Sequence, residues 1–193
     1  MSSETGYNAH PEIPELYDYV PAYNSRRDVE FYVDLCRQTG EALELGCGTG
    51  RVLIAAAEAG CRITGLDKST HMLARCRAKL DALAGGARDR VMLVEADMTD
   101  FQLSRSFKLA IAPFRPIQHL TTVDEQLGFL RCVHQHLQPG GRLVPHDPLQ
   151  GDPAFPAHPA PAPQPVAETR SEAVHTPWVT PSPKALADLV RGP

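Results

Sequence analysis

No stretch of this sequence is basic enough to follow a phosphate backbone, no two cysteines stand at Cys-x-x-Cys spacing, and no apolar run reaches membrane-spanning length. Each absence excludes something. With a net charge of −4 and no Lys/Arg cluster, the electrostatic footprint of a nucleic-acid binder is missing. Cys36, Cys47, Cys61, Cys76 and Cys132 are odd in number and scattered, which argues against a disulfide framework or a metal site and for reduced thiols. The N-terminus, Met1-Ser2-Ser3-Glu4, lacks the basic-then-apolar pattern of an export signal, so the expected location is the cytoplasm and no membrane partner is expected. The 193 residues leave room for one α/β domain with a sizeable core.

What is present is organised around Glu44-Leu45-Gly46-Cys47-Gly48-Thr49-Gly50. An apolar run leads into three glycines on alternate positions, and Arg51-Val52-Leu53-Ile54-Ala55-Ala56-Ala57 follows with good helix formers. That order is strand, tight turn, helix. Glycine accepts positive φ and lets a ligand lie against the backbone, and a helix start offers unpaired N–H groups to whatever sits above the turn. The glycine turn is therefore expected to hold a ligand.

The rest of the chain repeats this alternation. Residues 1–25 form an arm with Pro11, Pro14, Pro21 and the tyrosines Tyr17, Tyr19 and Tyr23, expected to be irregular apart from one short helical turn. Val29, Tyr32, Val33 and Cys36 recur at helical spacing before Thr39-Gly40. Strands are expected at 41–45, at 61–66 ending on Asp67, at 90–95 and at 107–112. Between them lie a helix over 50–59 and one capped by Ser69 or Thr70 that carries Met72, Leu73, Cys76, Leu80 and Leu83. The continuous apolar run Val91-Met92-Leu93-Val94 predicts a strand covered on both faces. A helix over about 124–138, with Leu127, Leu130, Val133 and Leu137 on one side, leads to a turn at Pro139-Gly140-Gly141 and a fifth strand from Arg142. Such alternation predicts a doubly wound, mostly parallel, Rossmann-like sheet, with ligands at the carboxyl ends of its strands. The glycine turn, Asp67, Asp97-Met98 and Pro113-Phe114-Arg115 should therefore share one crevice.

Two cofactor classes place glycines after a first strand. Dinucleotide enzymes use G-x-G-x-x-G, whereas here the pattern is G-x-G-x-G and position 51 is arginine. Glu44, two residues before the first glycine, would repel a pyrophosphate but not a cation, so S-adenosylmethionine suits this strand end better than NAD. Asp67, 17 residues beyond Gly50, is placed to accept the ribose hydroxyls of either cofactor. Asp97 can accept from an adenine amino group or simply cap its own turn at Thr99-Asp100. The Met98 N–H can reach a ring nitrogen, and Met72 is either helix core or, with Leu66, an apolar adenine wall. Cys47, Lys68 and Ala112 flank these positions and complete the candidate cofactor set.

In these motifs the chain resembles a class I S-adenosylmethionine-dependent methyltransferase. Glu44 to Gly50 is similar to the family's first motif, Gly65-Leu66-Asp67 to the acidic loop after strand two, and Glu95-Ala96-Asp97-Met98 to the third-strand motif. Leu109-Ala110-Ile111-Ala112-Pro113-Phe114-Arg115 resembles the fourth, with Gln118-His119-Leu120 behind it, and residues 137–144 resemble the approach to strand five. The likeness covers roughly residues 26–144. It implies that Glu44 and Gly46 contact the amino-acid part of the cofactor, Asp67 the ribose, and Asp97 and Met98 the adenine. It implies methyl transfer to an acceptor, here expected to be a small molecule and not a nucleic acid.

Two departures qualify that expectation. The family completes its sheet with a sixth and an antiparallel seventh strand, but from Pro145 onward lie twelve of the eighteen prolines, and nothing there resembles that hairpin. Residues 26–147 therefore read as the cofactor-binding domain and 148–193 as a proline-rich, largely disordered tail, the expectation for a truncated or frame-shifted product or a natural variant. The loop after strand four also lacks the N/D-P-P-Y/F motif of enzymes that methylate exocyclic amines on bases or glutamine. His119 and Tyr23 are the candidates for a base or hydroxyl near the methyl, although a histidine such as His119 is more often structural. Tyr17, Tyr23, Phe114 and Arg115 are candidates for the acceptor pocket, with the arm tyrosines either a lid or mere anchors. Two further readings stand beside the main one: a binding protein without turnover, and a nicotinamide-dependent dehydrogenase.

Overall fold

The computed structural model describes residues 12–20, 28–83 and 85–145. Tyr23 and the proline-rich tail expected over 148–193 lie outside the described residues. The elements run α1 (Ile13–Tyr17), α2 (Asp28–Thr39), β1 (Glu41–Leu45), α3 (Arg51–Glu58), β2 (Arg62–Asp67) and α4 (Thr70–Asp81). They continue with β3 (Val91–Glu95), β4 (Phe107–Ile111), α5 (Val123–His136) and β5 (Leu137–Val144). Short 3-10 turns at Arg88–Arg90 and Pro116–His119 precede β3 and follow β4.

The five strands pair in the order β3-β2-β1-β4-β5, and every pairing is parallel. Two core layers sandwich this sheet. Ala42, Ile63, Leu109 and Ile111 pack beneath Tyr32, Cys36, Leu53, Leu73 and Leu80 of α2, α3 and α4. Leu43, Leu45, Leu66 and Ala110 face Phe101, Phe129 and Val133 on the side of α5. The reversal of strand order falls between β1 and β4, so a crevice opens at the carboxyl ends of those strands.

Three local expectations are corrected. The β3 strand is an edge strand, and its residues are half-buried or exposed, with Met92 43% exposed. Its apolar run reflects partial cover, not burial on both faces. The last helix stops at His136, and its buried face carries Gln126, Phe129, Cys132, Val133 and His136, one step round from the leucines that mark its pattern. His136 is satisfied, bonding Leu103 N and Cys132 O while stacking on Phe101, whereas Gln126 donates Nε2 to Leu120 O at 3.1 Å and leaves its buried Oε1 without a partner.

Pro139-Gly140-Gly141 is not a turn before β5 but a bulge within it. The ladder jumps from Phe107↔Leu137 to Leu109↔Arg142. A Cβ on Gly141 would lie 2.8 Å from Gln138 O and 3.0 Å from Phe107 O, so only glycine lets the backbones close there. The expected cap of α4 holds, with Ser69 Oγ accepting from Met72 N at 3.3 Å.

Candidate functional site

The crevice is a cavity of about 500 Å³. The glycine turn after β1, Asp67 at the end of β2, residues 96–99 after β3 and residues 113–116 after β4 all line it, so the four expected strand ends meet in one place. Of the candidate cofactor residues, Glu44, Gly46, Cys47 and Gly48 from the end of β1 and its turn, Asp67, Lys68 and Met72 after β2, and Asp97 and Met98 after β3 line it. Tyr17 from α1 and Phe114, Arg115 and His119 after β4 line it as well. Met72 is both readings at once, 3% exposed in the core and facing the cavity.

Gly50 and Ala112 are not on the cavity surface. Gly50 begins α3 at φ 86°, and a Cβ there would meet Cys76 Sγ at 2.5 Å, so its role is to let α3 close on α4. Ala112 is fully buried and donates its N–H to Val144 O at 3.0 Å, extending the β4–β5 ladder.

The glycine turn is tied down differently from the expectation that its amides point at a ligand. Gly46 and Cys47 donate to Leu66 O at 2.8 and 3.0 Å, Gly50 donates to Cys47 O at 2.9 Å, and Gly48 donates to Asp67 Oδ2 at 2.8 Å. Four N–H groups that a pyrophosphate loop would offer are thus spent inside the protein.

On β1, alternation sends Leu43 and Leu45 into one core layer and Ala42 into the other, and Glu44 follows Ala42 toward α2 and α3. Its side chain is buried and Oε2 accepts no hydrogen bond. Burial pushes the carboxyl up to about 8, the Arg51 charge pulls it down, and the Asp67 and Asp28 charges push it further up. Beside it, Arg51 Nη1 and Nη2 donate to Asp28 Oδ1 and Oδ2 at 2.5 and 2.9 Å, with Asp28 0% and Arg51 9% exposed.

Asp67 accepts Gly48 N and Ser69 N, each at 2.8 Å, one on each oxygen. A carboxylate has about four acceptor sites, so two remain for ligand hydroxyls. Burial raises its pKa above the ordinary value, against those two amides and the Lys68 and His119 charges. Asp97 behaves as a turn cap, with Oδ1 accepting Thr99 N at 2.8 Å and Thr99 Oγ1 at 2.7 Å. Burial works to raise it, but the Thr99 bonds and Lys68 win and the net shift is downward. His119 is shifted down, by burial first and then the Lys68 charge, with Asp67 opposing. Phe114 sits at φ 70°, a left-handed conformation uncommon outside glycine, with Arg115 Cζ 5.5 Å from its ring centroid.

No functional signal marks Asp28 in the sequence, an acid at a helix start like many solvated ones, nor Asp18. Asp18 accepts Thr49 Oγ1 at 2.6 Å from the glycine turn, Arg75 Nε at 2.9 Å and Lys79 Nζ at 3.0 Å from α4, which seats α1 beside the cavity. Among the described residues no group of three or more His, Cys, Asp or Glu side chains gathers as a metal site, and no helix is long and apolar enough to cross a membrane.

A doubly wound parallel sheet with acids at two strand ends and a glycine turn whose amides are used internally defines a binder of an adenosine-type cofactor at its switch point. The family profile described as "Methyltransferase domain" matches residues 42–141. The chain belongs to the class I S-adenosylmethionine-dependent methyltransferases. It is 35% identical over 105 residues to a carboxy-S-adenosyl-L-methionine synthase of Yersinia enterocolitica, covering 52% of this chain and 38% of that protein. It is 28% identical over 139 residues to a dTDP-3-amino-3,4,6-trideoxy-alpha-D-glucopyranose N,N-dimethyltransferase of Streptomyces venezuelae, covering 70% and 55%. Among solved structures, the CcbJ methyltransferase from Streptomyces caelestis superposes with a TM-score of 0.64 at 28% identity, over 73% of this chain and 57% of that one. The glycopeptide N-methyltransferase MtfA complexed with S-adenosyl-L-methionine gives a TM-score of 0.55 at 32% identity, over 60% and 50%. The chain thus spans between 38% and 57% of the length of these proteins.

The residues present fit the family's cofactor on one observation above all. A buried carboxylate with an oxygen that lacks a partner calls for a donor, and an ammonium group supplies one together with the opposite charge.

Proposed function

We propose that this chain binds S-adenosylmethionine in the cavity and transfers its methyl group to a small-molecule acceptor in the cytoplasm. The observation that carries the reading is Glu44 Oε2, buried on the cavity wall without a hydrogen-bond partner. Glu44 and the close backbone at Gly46 take the amino-acid end, Asp67 takes the ribose hydroxyls, and Asp97, Met98 and Met72 take the adenine. Cys47, Gly48 and Lys68 border the same space. When bound, the cofactor supplies an electrophilic methyl carbon on a sulfonium.

The chain's own contribution is positioning, which for an in-line displacement provides most of the acceleration. Tyr17, Phe114 and Arg115 confine the acceptor side. His119, shifted down and therefore neutral at physiological pH, is the group able to accept a proton from an amine or hydroxyl acceptor. The five free cysteines support the cytoplasmic assignment. A dinucleotide-dependent dehydrogenase is disfavoured by Glu44 and by the four turn amides already used.

The test is transfer of label from methyl-labelled S-adenosylmethionine to a panel of small amines, alcohols and carboxylic acids. Labelled product is expected for at least one class. Nicotinamide-dependent oxidation of the same panel without label transfer would overturn the assignment. Tight S-adenosylhomocysteine binding with no turnover across the panel would favour a binding protein without catalysis.

A further inference from the structure

Arg51 lines the same cavity as Glu44, and its charge is the influence that most favours the ionised form of that acid. An arginine beside a buried carboxylate ordinarily takes it as its two-pronged partner, because that is the strongest pairing open to a guanidinium in a dry site. Here it does not. Both terminal nitrogens are held by Asp28, 23 residues earlier on α2, while Glu44 Oε2 accepts nothing. Asp28 and Arg51 cancel one another's charge, so the cavity floor keeps Glu44 as an acid without a counter-ion.

We infer that Asp28 is a positioning residue, which by clamping Arg51 keeps the guanidinium off Glu44 and reserves that carboxylate for the cationic end of a ligand bearing an amino acid. The inference rests on the S-adenosylmethionine reading above and extends it to a residue that contacts no ligand itself. Without Asp28, Arg51 turns to Glu44, the acid is neutralised from within, and the ligand's ammonium loses its partner. The adenosine end, held elsewhere in the cavity, is unaffected.

The groups facing Glu44 set how this appears in a pH profile. Arg51 from α3 favours its charge, whereas Asp28 from α2 and Asp67 from β2 oppose it. The thiols of Cys36, Cys47 and Cys76, which feel the Glu44 charge, are themselves pushed up by burial and stay neutral. The complex holds one proton between carboxylate and amine. Below the free amine's range of about 7.7–8.0 the separated partners hold two, so binding releases a proton and strengthens as pH rises. Above about 8 the separated partners hold none, and binding weakens again. A ligand without the amino acid has no such maximum.

The experiment is calorimetric titration of S-adenosylhomocysteine and of methylthioadenosine, which lacks the amino acid, into the intact chain, Asp28→Asn, Arg51→Gln and the double variant. Expected for Asp28→Asn is a loss of about tenfold or more for S-adenosylhomocysteine, less than about twofold for methylthioadenosine, and a flattened pH maximum. Adding Arg51→Gln to Asp28→Asn should bring S-adenosylhomocysteine back to within about threefold of Arg51→Gln alone. Equal losses for both ligands, no loss for either, or a double variant as weak as Asp28→Asn would each overturn the inference. If Asp28→Asn does not fold, the double variant strands neither partner of the Asp28–Arg51 pair as a lone charge and decides alone. Retained selectivity for S-adenosylhomocysteine supports the clamp, and its loss with methylthioadenosine binding intact sinks it. An intact chain that binds neither ligand removes the functional reading, and the inference with it.

Discussion

On the floor of the cavity Glu44 and Arg51, with Asp28 behind Arg51, are shut away from solvent, whereas at its rim Lys68, Asp97, Arg115 and His119 stand exposed. The floor holds charge in fixed geometry, with a two-pronged ion pair beside a carboxylate that has no internal partner. The rim holds charge that water screens, and its acid, Asp97, already spends one oxygen on its own turn. A buried acid of the first kind destabilises the chain on its own and is relieved by a ligand. An acid of the second kind costs little and contributes little. The floor is therefore where binding energy is stored, and the rim is where different acceptors can be accommodated.

The largest effect expected from this contrast is at Glu44. Its carboxyl sits near 8 in the folded chain, above its ordinary 4.5. Between those values the unfolded chain has released a proton that the folded one retains, so stability falls as pH rises through that window. Glu44→Gln removes this burden. It should stabilise the chain by on the order of 3 kcal/mol near pH 8 and by little near pH 4, measured by chemical denaturation at both. A variant less stable at pH 8 would mean that Glu44 has an internal partner and that floor and rim do not differ.

Next comes Asp67, which joins floor to rim through Gly48 and Ser69. Asp67→Ala should weaken S-adenosylhomocysteine by about 1.5–3 kcal/mol, read by calorimetry. Unchanged affinity would remove Asp67 from the site.

Asp18 is partly buried but pinned by Thr49, Lys79 and Arg75, which outweigh burial and hold it below the usual carboxylate range. Its contribution is present above about 3.8 and lost as pH falls through the folded value. Asp18→Ala should cost about 1 kcal/mol at pH 7 and less at pH 3, by denaturant midpoint. An equal cost at both would assign the effect to packing.

The smallest effect belongs to the rim. Asp97→Ala loses a turn cap on an exposed segment and should change stability by only about 0.5 kcal/mol, in the same denaturation experiment. A loss as large as that of Asp18→Ala would mark the Asp97 turn as part of the floor.

The sequence carried the strand ends well because each is punctuated locally: glycines for the turn, an acid where each apolar run stops, and proline after β4. Phe114, Arg115 and His119 line the cavity for the same reason, since parallel topology gathers strand ends and their loops on one side, whereas Tyr17 reaches it from α1, which Asp18 seats. Three kinds of feature were not. The Asp28–Arg51 pair joins two helices, and nothing in either segment marks its partner. The buried face of α5 is set by how Phe129 and His136 meet Phe101, so its leucine pattern was one step out. The bulge at Gly140 and Gly141 depends on close approach to β4, and from sequence alone a Pro-Gly-Gly triplet reads as a turn.

The deciding property is whether the cavity floor takes a cation and no phosphate. Calorimetric titration of the intact chain at pH 7.5 with S-adenosylmethionine, S-adenosylhomocysteine and NAD tests this most directly. Binding of the first two, with no heat from NAD beyond dilution, is the predicted result. Binding of NAD with no response to either of the others would contradict it.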